Sequence, residues 1–194
     1  MADRPHLILA SASPRRLSLL AQIGVTPDDV IAADADETVL PGELPRIYVE
    51  RVALAKAEAV GAKAPGALVL AADTAVACGR RILPKAEDEE EARRCLELIS
   101  GRAHRVYTGL VLSGPGSERR VRVVETRVKV ARLEQRDIDA YVASGEWRGK
   151  AGGYAIQGLF AKHVISIIGS YSNIVGLPLH ETANLLKSAG WSQT

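Results

Sequence analysis

Two hydroxyl side chains and two arginines lie close together near the start of the chain, in the segment Ser11-Ala12-Ser13-Pro14-Arg15-Arg16. The segment follows a short apolar run and is predicted to open a helix, with Ser13 as N-cap and Pro14 at the first helical position. A helix start offers unpaired N–H groups and a positive dipole end, and arginine forks match phosphate oxygens. The segment therefore predicts a phosphate-binding site. An ordinary helix cap followed by solvated arginines is the alternative.

Acidic side chains occur at two places that suit a metal ion or a reacting water. Asp73 and Thr74 follow the apolar run 67–72, and in open α/β sheets sites lie beyond the carboxyl ends of strands. An aspartate there could hold a divalent cation or activate water, or it could simply end the strand in a turn. Three further carboxylates form an acidic turn region: Asp34, Asp36 and Glu37. These could bind magnesium or manganese, or form a solvated loop.

Two lysines could supply further positive charge to such a site. Lys56 shares a predicted helical face with Val49 and Val60, so its ammonium could point into a pocket or extend to solvent. Lys85 follows a predicted turn at 79–81. Either lysine could neutralise a triphosphate, although neither spacing is diagnostic.

A glycine-rich loop late in the chain, Lys150 to Gly158, could hold the rest of a ligand. Its three glycines would let a ligand approach the backbone closely. Gln157 can both donate and accept hydrogen bonds, so it could read a base edge. The loop is not a GxGxxG motif, and the chain contains no GxxxxGK followed by Ser or Thr. A P-loop kinase or ATPase is therefore disfavoured.

The elements that must position these residues follow from hydrophobic spacing and turn signals. Strands are predicted at 7–10, 30–33, 67–72, 105–113, 119–132, 164–168 and 171–175, with a turn at 113–116. Helices are predicted at 14–23, 47–60, 87–100, 135–144 and 179–189. This alternation predicts an α/β fold.

The composition is typical of one globular domain, residues 1–194, or of two small lobes that share a core. A net charge of +2 and 4% aromatic residues argue against a nucleic-acid partner. Cys78 and Cys95 form no CxxC motif, which argues against a zinc site or a disulfide framework. The histidines at 6, 104, 163 and 180 have no metal or triad spacing, so these histidines are predicted to be structural or surface residues. No apolar stretch approaches the length of a signal peptide or a membrane span, so we expect a cytoplasmic protein without a membrane partner.

Taken together and in this order, the segments resemble the Maf family of nucleoside triphosphate pyrophosphatases. The matching motifs are Ser11-x-Ser13-Pro14-Arg15-Arg16, Ala72-Asp73-Thr74, Glu87 to Gly101 followed by Arg102-x-His104-x-Val106-Tyr107-Thr108-Gly109, Lys150 to Gly158, Gly169-Ser170-Tyr171-Ser172-Asn173, and Val175-Gly176-Leu177-Pro178-Leu179. The resemblance spans nearly the whole chain. It implies a bent mixed β-sheet flanked by helices, with two lobes and a central cleft, similar to the fold of inosine triphosphate pyrophosphatases.

The resemblance also implies a reaction: water attacks the α-phosphorus of a nucleoside triphosphate and releases pyrophosphate, with a divalent metal (Mg or Mn) as cofactor. Asp73 would be the general base, and Asp73 and Glu37 would hold the metal. The remaining implied roles are substrate choice for Arg15, Thr74 and Gln157, and phosphate binding for Ser11, Ser13, Arg16, Lys56 and Lys85. A homodimer is a further family-based expectation.

Thr74 and Gln157 resemble the dTTP/UTP branch of the family. The 7-methyl-GTP branch typically has another residue after the aspartate and a glutamate in the late loop. Glutamine can both donate a hydrogen bond to a pyrimidine imide and accept one from it, whereas glutamate accepts hydrogen bonds from the N–H groups of guanine. The family usually reads Gly-Lys-Pro where this chain has Pro84-Lys85-Ala86, a change that could alter the path of that loop. A 7-methyl-GTP-type pyrophosphatase and a non-catalytic regulator of septum formation are the alternatives.

Overall fold

A computed structural model describes residues 4–115 and 118–192 of the 194-residue chain. The strands in these ranges are β1 (Leu7–Ala10), β2 (Asp29–Ile31), β3 (Leu68–Cys78), β4 (Arg81–Leu83), β5 (Ala103–Ser113), β6 (Arg119–Val130) and β7 (Val164–Ile168). The α-helices are α1 (Pro14–Gln22), α2 (Pro45–Gly61), α3 (Glu89–Ile99), α4 (Gln135–Ser144), α5 (Tyr171–Val175) and α6 (Leu179–Ser188), and a 3-10 helix covers Leu159–His163. The predicted α/β class is confirmed. None of the helices in the described ranges is long and apolar enough to cross a bilayer.

Two predictions of local structure are wrong, and one strand was not predicted. The strand expected to end before Asp73 continues to Cys78, because the residues after Asp73 pair with β5 and are mostly apolar. Strand β4 directly follows the turn at 79–80 and was not predicted. The segment 171–175, predicted as a strand, is helix α5, because Ser170 caps it and Gly176 ends it. The other elements lie where predicted, with small shifts at their ends. The predicted turn at 113–116 reaches a residue outside the described ranges.

The sheet has a gap beside β3. The strand order is β2-β1-β3-β5-β6-β7, and β4 also pairs with β3. Strand β1 runs parallel to residues 68–71 of β3, and β4 runs antiparallel to residues 76–78. Since β5 covers the opposite edge from 69 to 77, β1 and β4 share one edge. Within the described chain, residues 72–75 therefore have no strand beside them on that edge.

On one face of the sheet, the hydrophobic core is divided at this gap. One cluster packs β1, α1 and α6 around Leu70 and Ala72 of β3. A second cluster packs α3, α4 and the late loop around Val76 and Val106. Helix α2 covers the opposite face. The two clusters form two lobes, and the gap between them is the cleft that the family resemblance implied.

Helix α2 lies very close to the sheet at Gly109. This glycine pairs with Asp73 in the β3–β5 register. A Cβ built on Gly109 would lie only 2.1 Å from the carbonyl oxygen of Val49, so no other residue fits while the helix keeps this position. The close approach places the next turns of α2, which carry Lys56, directly over β3.

Candidate active site

Asp73 and Thr74 lie in the gap beside β3, and they point to opposite faces of the sheet because side chains alternate along a strand. Asp73 is 2% exposed and contacts α2, whereas Thr74 contacts α1. The cleft beside them is lined by eight of the residues predicted from the sequence: Ser13, Arg15, Arg16, Lys56, Asp73, Thr74, Lys85 and Gln157. The structure therefore brings together residues from four separate motifs. The two predicted residues that remain, Ser11 and Glu37, each contact a member of this set.

On the Asp73 side, one lysine links two carboxylates. Lys56 Nζ lies 2.7 Å from Asp73 Oδ1 and 2.6 Å from Glu37 Oε1. Lys85 Nζ contacts the other oxygen of Glu37. Lys56 is only 7% exposed, so its ammonium is buried against these two carboxylates. Lys56 therefore points into the cleft and does not extend to solvent.

The second carboxylate oxygen of Asp73 is buried and has no hydrogen-bond partner within the described ranges. An unpaired buried carboxylate oxygen is costly and therefore calls for an explanation, such as a ligand. In the part of the chain that the structure describes, no three or more His, Cys, Asp or Glu residues converge on a metal-sized site. Magnesium, however, is usually held by one or two carboxylates together with substrate phosphates and waters. Asp73 and Glu37 fit that donor set.

Glu37 is held in place by helix α2. The hydroxyl of Tyr48 donates to the Glu37 carbonyl oxygen (3.0 Å), and Arg51 donates to the carbonyl oxygen of the following residue (2.9 Å). Partial burial alone raises the pKa of Glu37, but hydrogen bonds and charge from Lys56 and Lys85 outweigh it and lower the pKa to about 2. Glu37 therefore stays anionic at any ordinary pH.

The other two acidic residues of this loop do not line the cleft. Asp34 and Asp36 are exposed, and Asp36 Oδ1 accepts a hydrogen bond from the backbone N–H of Thr38 (2.8 Å). That contact is an Asx turn, which fixes the local backbone. Of the three loop carboxylates, Glu37 is the one that contacts the cleft lysines.

The segment Pro84-Lys85-Ala86 is fixed by the late loop. Lys85 and Ala151 form an antiparallel bridge, and the N–H of Gly152 donates to the carbonyl oxygen of Pro84 (2.9 Å). The bridge directs Lys85 toward Glu37 across the cleft. The departure from the usual family sequence at this point therefore leaves the lysine in the cleft wall.

On the Thr74 side, Arg16 is held by three hydrogen bonds. Its Nε donates to the carbonyl oxygen of Gly176 (2.8 Å), Nη1 to Ser11 Oγ (3.2 Å) and Nη2 to Thr74 Oγ1 (3.2 Å). A guanidinium has five N–H donors, so one remains on each terminal nitrogen. Two such donors match a bidentate phosphate contact. Burial lowers the pKa of Arg16, although the charge of Asp73 opposes this effect. An arginine in a protein remains protonated, so the group is a cation.

The neighbours of Arg16 at the helix start are held differently. Ser11 is buried, and its Oγ also accepts a hydrogen bond from the N–H of Ser13 (3.1 Å), so it supports the guanidinium. The predicted N-cap position of Ser13 is confirmed, although its side chain makes no capping hydrogen bond. The Arg15 side chain makes no hydrogen bond or ion pair within residues 4–115 and 118–192, and burial lowers its pKa.

All three glycines in the late loop pack against protein atoms. A Cβ at Gly152 would lie 2.7 Å from Val76 Cγ1, and one at Gly158 would lie 2.1 Å from Glu146 Oε2. The prediction that these glycines make room for a ligand is therefore wrong. They let the loop pack on its own lobe, and this packing leaves Gln157 exposed on the cleft wall.

The cleft-wall residues that sequence reasoning did not assign include Lys150, Tyr154 and Gly176. Lys150 is a basic residue at the start of the quoted loop, a signal that could have been used. Partial burial and then the charge of Arg15 lower its pKa. Tyr154 is buried with its hydroxyl 2.7 Å from His104 Nε2, and nothing in the sequence indicates that pairing. Gly176 acts through its carbonyl oxygen, which carries no side-chain signal.

The sequence of the chain was compared with models of known protein families. Residues 6–189 match the family model described as Maf-like protein. The chain belongs to the Maf family. The matched range includes every residue of the cleft described above, and this confirms the resemblance that the motifs indicated.

Several Maf relatives are similar over almost their full length. A dTTP/UTP pyrophosphatase of Maricaulis maris (strain MCS10) is 59% identical over 194 residues, covering 98% of this chain and 91% of that protein. One from Caulobacter vibrioides is 58% identical over 191 residues, covering 98% and 99%. One from Rhodopseudomonas palustris (strain HaA2) is 57% identical over 197 residues, covering 98% and 95%.

Solved structures with little sequence similarity share the fold. The Ham1 protein of Staphylococcus aureus superimposes with a TM-score of 0.55 at 17% identity, covering 94% of this chain and 96% of that one. A HAM1 protein from Coxiella burnetii gives 0.53 at 15% identity, covering 95% and 99%. The Maf chain therefore has the mixed α/β architecture that its sequence predicted.

Proposed function

We propose that this Maf family protein hydrolyses dTTP and UTP to the nucleoside monophosphate and pyrophosphate. The observation that carries the proposal is the Asp73 oxygen that is buried without a partner among residues 4–115 and 118–192, at a cleft into which Arg16 brings N–H groups that these residues do not use. The names of relatives at 57% to 59% identity, over 98% of the chain, support the choice of nucleotides.

The charges of the cleft suit a triphosphate. Its walls carry five cationic side chains, Arg15, Arg16, Lys56, Lys85 and Lys150. Asp73 on the wall and Glu37 beside it carry the opposing negative charge. The excess of positive charge is already in place before substrate arrives, so it can stabilise the phosphoryl group and the departing pyrophosphate without reorganisation.

In this proposal Asp73 activates water. Its Oδ1 lies 2.7 Å from Lys56 Nζ, so the carboxylate cannot turn freely. As the water oxygen bonds to the α-phosphorus, the bond from that phosphorus to the bridging oxygen of pyrophosphate breaks. The proton of the water passes to Asp73.

Asp73 and Glu37 are the residues that would hold magnesium or manganese, together with phosphate oxygens of the substrate. The support is the buried free oxygen of Asp73 and the hardness of carboxylate donors. The ion would supply further neutralisation of the phosphate charge.

Gln157, with Thr74 and Arg15, would select the nucleotide. Gln157 is exposed on the cleft wall, where its amide can donate to a pyrimidine carbonyl and accept from the imide N–H. Arg15 has a charge without an internal partner in the described ranges and lies on the same wall. The cytoplasmic location and the homodimer stay predictions, and light scattering would check the second.

The test is pyrophosphate release from a panel of nucleoside triphosphates, each supplied with magnesium or with manganese. We expect the highest kcat/KM for UTP and dTTP, with CTP and the purine nucleotides at least about tenfold lower. The Asp73→Asn protein, purified in parallel, measures any contaminating activity. Preference for 7-methyl-GTP over UTP would overturn the choice of branch. Binding of UTP without cleavage under either metal would instead favour the non-catalytic regulator.

A further inference from the structure

Thr108 lies directly behind the cleft. It is the residue of β5 opposite Thr74 in the β3–β5 register, and it is fully buried. Its Oγ1 lies 2.9 Å from Thr74 Oγ1, the shortest contact of the Thr74 hydroxyl. Because it is buried, Thr108 acts on a ligand only through its neighbours.

A chain of hydrogen bonds runs from Arg16 through these two hydroxyls into α5. Arg16 Nη2 donates to Thr74 Oγ1 (3.2 Å), and Thr74 and Thr108 share the next bond. Thr108 Oγ1 lies 3.3 Å from the carbonyl oxygen of Asn173, to which it can donate. The guanidinium that faces the cleft is therefore linked by side-chain hydrogen bonds to a helix on the far side of Thr108.

The acceptor end of this chain is rigid. Asn173 is fully buried, and its Nδ2 donates to the carbonyl oxygen of Val106 on β5 (3.2 Å) and to Thr126 Oγ1 on β6 (3.0 Å). These bonds fix α5 to two neighbouring strands. The position of the Asn173 carbonyl is thus set by the sheet itself.

Removing the Thr108 hydroxyl would change how Arg16 is held. Each hydroxyl has a single proton, and the other internal acceptor near Thr74 is the carbonyl oxygen of Gly176, at 3.4 Å. That oxygen already anchors Arg16 through Nε at 2.8 Å. Without Thr108, the Thr74 hydroxyl would turn to this carbonyl or into the cleft, and either change disturbs a contact of Arg16.

We propose that Thr108 is a positioning residue, which fixes the Thr74 hydroxyl and through it holds the Arg16 guanidinium in the orientation that binds phosphate. The proposal rests on the proposed function only for the assignment of Arg16 to a substrate phosphate. It adds a residue that never contacts the substrate but sets the affinity for its phosphate chain.

Three variants test this role. Thr108→Val removes the hydroxyl and keeps the side-chain shape, whereas Thr108→Ser keeps the hydroxyl. Thr182→Val is the matched control, because Thr182 is also fully buried but donates to the carbonyl oxygen of Pro178, the residue before α6 (2.8 Å). The measurements are tripolyphosphate affinity by calorimetry without metal, KM and kcat for UTP with metal, and the melting temperature.

We expect Thr108→Val to weaken tripolyphosphate binding about tenfold, which is the change in affinity that the loss of one buried hydrogen bond produces. The KM for UTP should rise by a similar factor with a smaller change in kcat. Thr108→Ser should stay within about twofold of the wild type, and Thr182→Val should leave affinity and KM unchanged. Combining Thr74→Val with Thr108→Val should cost no more than Thr74→Val alone, because both act through one contact.

The proposal is overturned if Thr108→Val binds tripolyphosphate like the wild type, if Thr182→Val weakens binding equally, or if the folded wild type does not bind tripolyphosphate. Should Thr108→Val fail to fold, Thr108→Ala carries the same expectation. A wild type that binds tripolyphosphate in a Thr108-dependent manner but does not hydrolyse UTP would refute the proposed function and support the positioning role.

Discussion

The two faces of β3 at the cleft are built from different interactions. On the Asp73 face the contacts are ionic: Lys56 joins Asp73 to Glu37, and one carboxylate oxygen has no partner in the described chain. On the Thr74 face the buried cation Arg16 is surrounded by neutral acceptors, namely two hydroxyls and one carbonyl. Both faces open on the same gap in the sheet, so one substrate can contact both.

This difference indicates a division of tasks. The neutral acceptors around Arg16 hold its guanidinium in one orientation. A guanidinium held in this way can bind a phosphate with little reorganisation. A buried oxygen without a partner is costly in the folded protein, and its natural use is in the reaction. We therefore expect substitutions on the Asp73 face to change kcat most, and substitutions on the Thr74 face to change KM most.

The largest effect is expected for Asp73→Asn. The change removes the base and should lower kcat for UTP about a thousandfold. Folding should survive, because Lys56 keeps its contact with Glu37 and the asparagine oxygen can still accept from the lysine. Steady-state kinetics and a thermal melt of the same preparation measure both quantities. Turnover near that of the wild type would remove Asp73 from its assigned role.

Arg16→Lys is the matched control on the other face. It keeps the positive charge but cannot reproduce the three anchoring bonds of the guanidinium. We expect the KM for UTP to rise at least about tenfold, with kcat changed less than in Asp73→Asn. If Asp73→Asn and Arg16→Lys both lowered kcat and left KM unchanged, the proposed division, with one face for substrate binding and the other for the reaction, would be wrong.

The smallest effect on activity is expected at His104, which lies on the Thr74 face. Burial lowers its pKa from the ordinary 6.5 to about 4. Between these values the unfolded chain binds the proton and the folded protein does not, so stability falls as pH drops from 6.5 to 4. The full change is about 3 kcal/mol. Glu37, on the Asp73 face, loses its contribution only below pH 4.5, as pH falls toward 2.

Chemical denaturation between pH 7 and pH 4.5 measures the His104 effect. His104→Gln keeps a group that can bond to the Tyr154 hydroxyl but cannot be protonated. The pH dependence of its unfolding free energy in this interval should be flatter than that of the wild type, and kcat for UTP at pH 7.5 should be close to the wild-type value. Equal slopes for the two proteins would show that His104 does not titrate in this way.

Much of the fold and of the cleft could be predicted from the sequence. The apolar runs and helical spacings located most elements, and the motifs named the residues that now line one cavity. Asp73 illustrates the limit. It was expected at the end of its strand, yet it lies in the middle of β3, at the point where the parallel neighbour β1 has ended. The site does lie beyond the carboxyl end of a strand, but that strand is β1 and not β3. This can be seen only once the order of the strands in the sheet is known.

What could not be predicted depends on pairs that are distant in sequence. The contact of Lys56 with Asp73 needs the close approach of α2 at Gly109, a position that reads as an ordinary strand glycine. The carbonyl of Gly176 holds Arg16 from 160 residues away and has no side chain to indicate it. The capping of α5 by Ser170 likewise outweighed the strand pattern of 171–175.

The most direct test of the central claim is the fate of the attacking oxygen. UTP is hydrolysed by the wild-type protein in water enriched in oxygen-18, and the products are analysed by mass spectrometry. Attack at the α-phosphorus predicts one labelled oxygen in UMP and unlabelled pyrophosphate. Label in the pyrophosphate, or stepwise release of phosphate through UDP, would contradict the account.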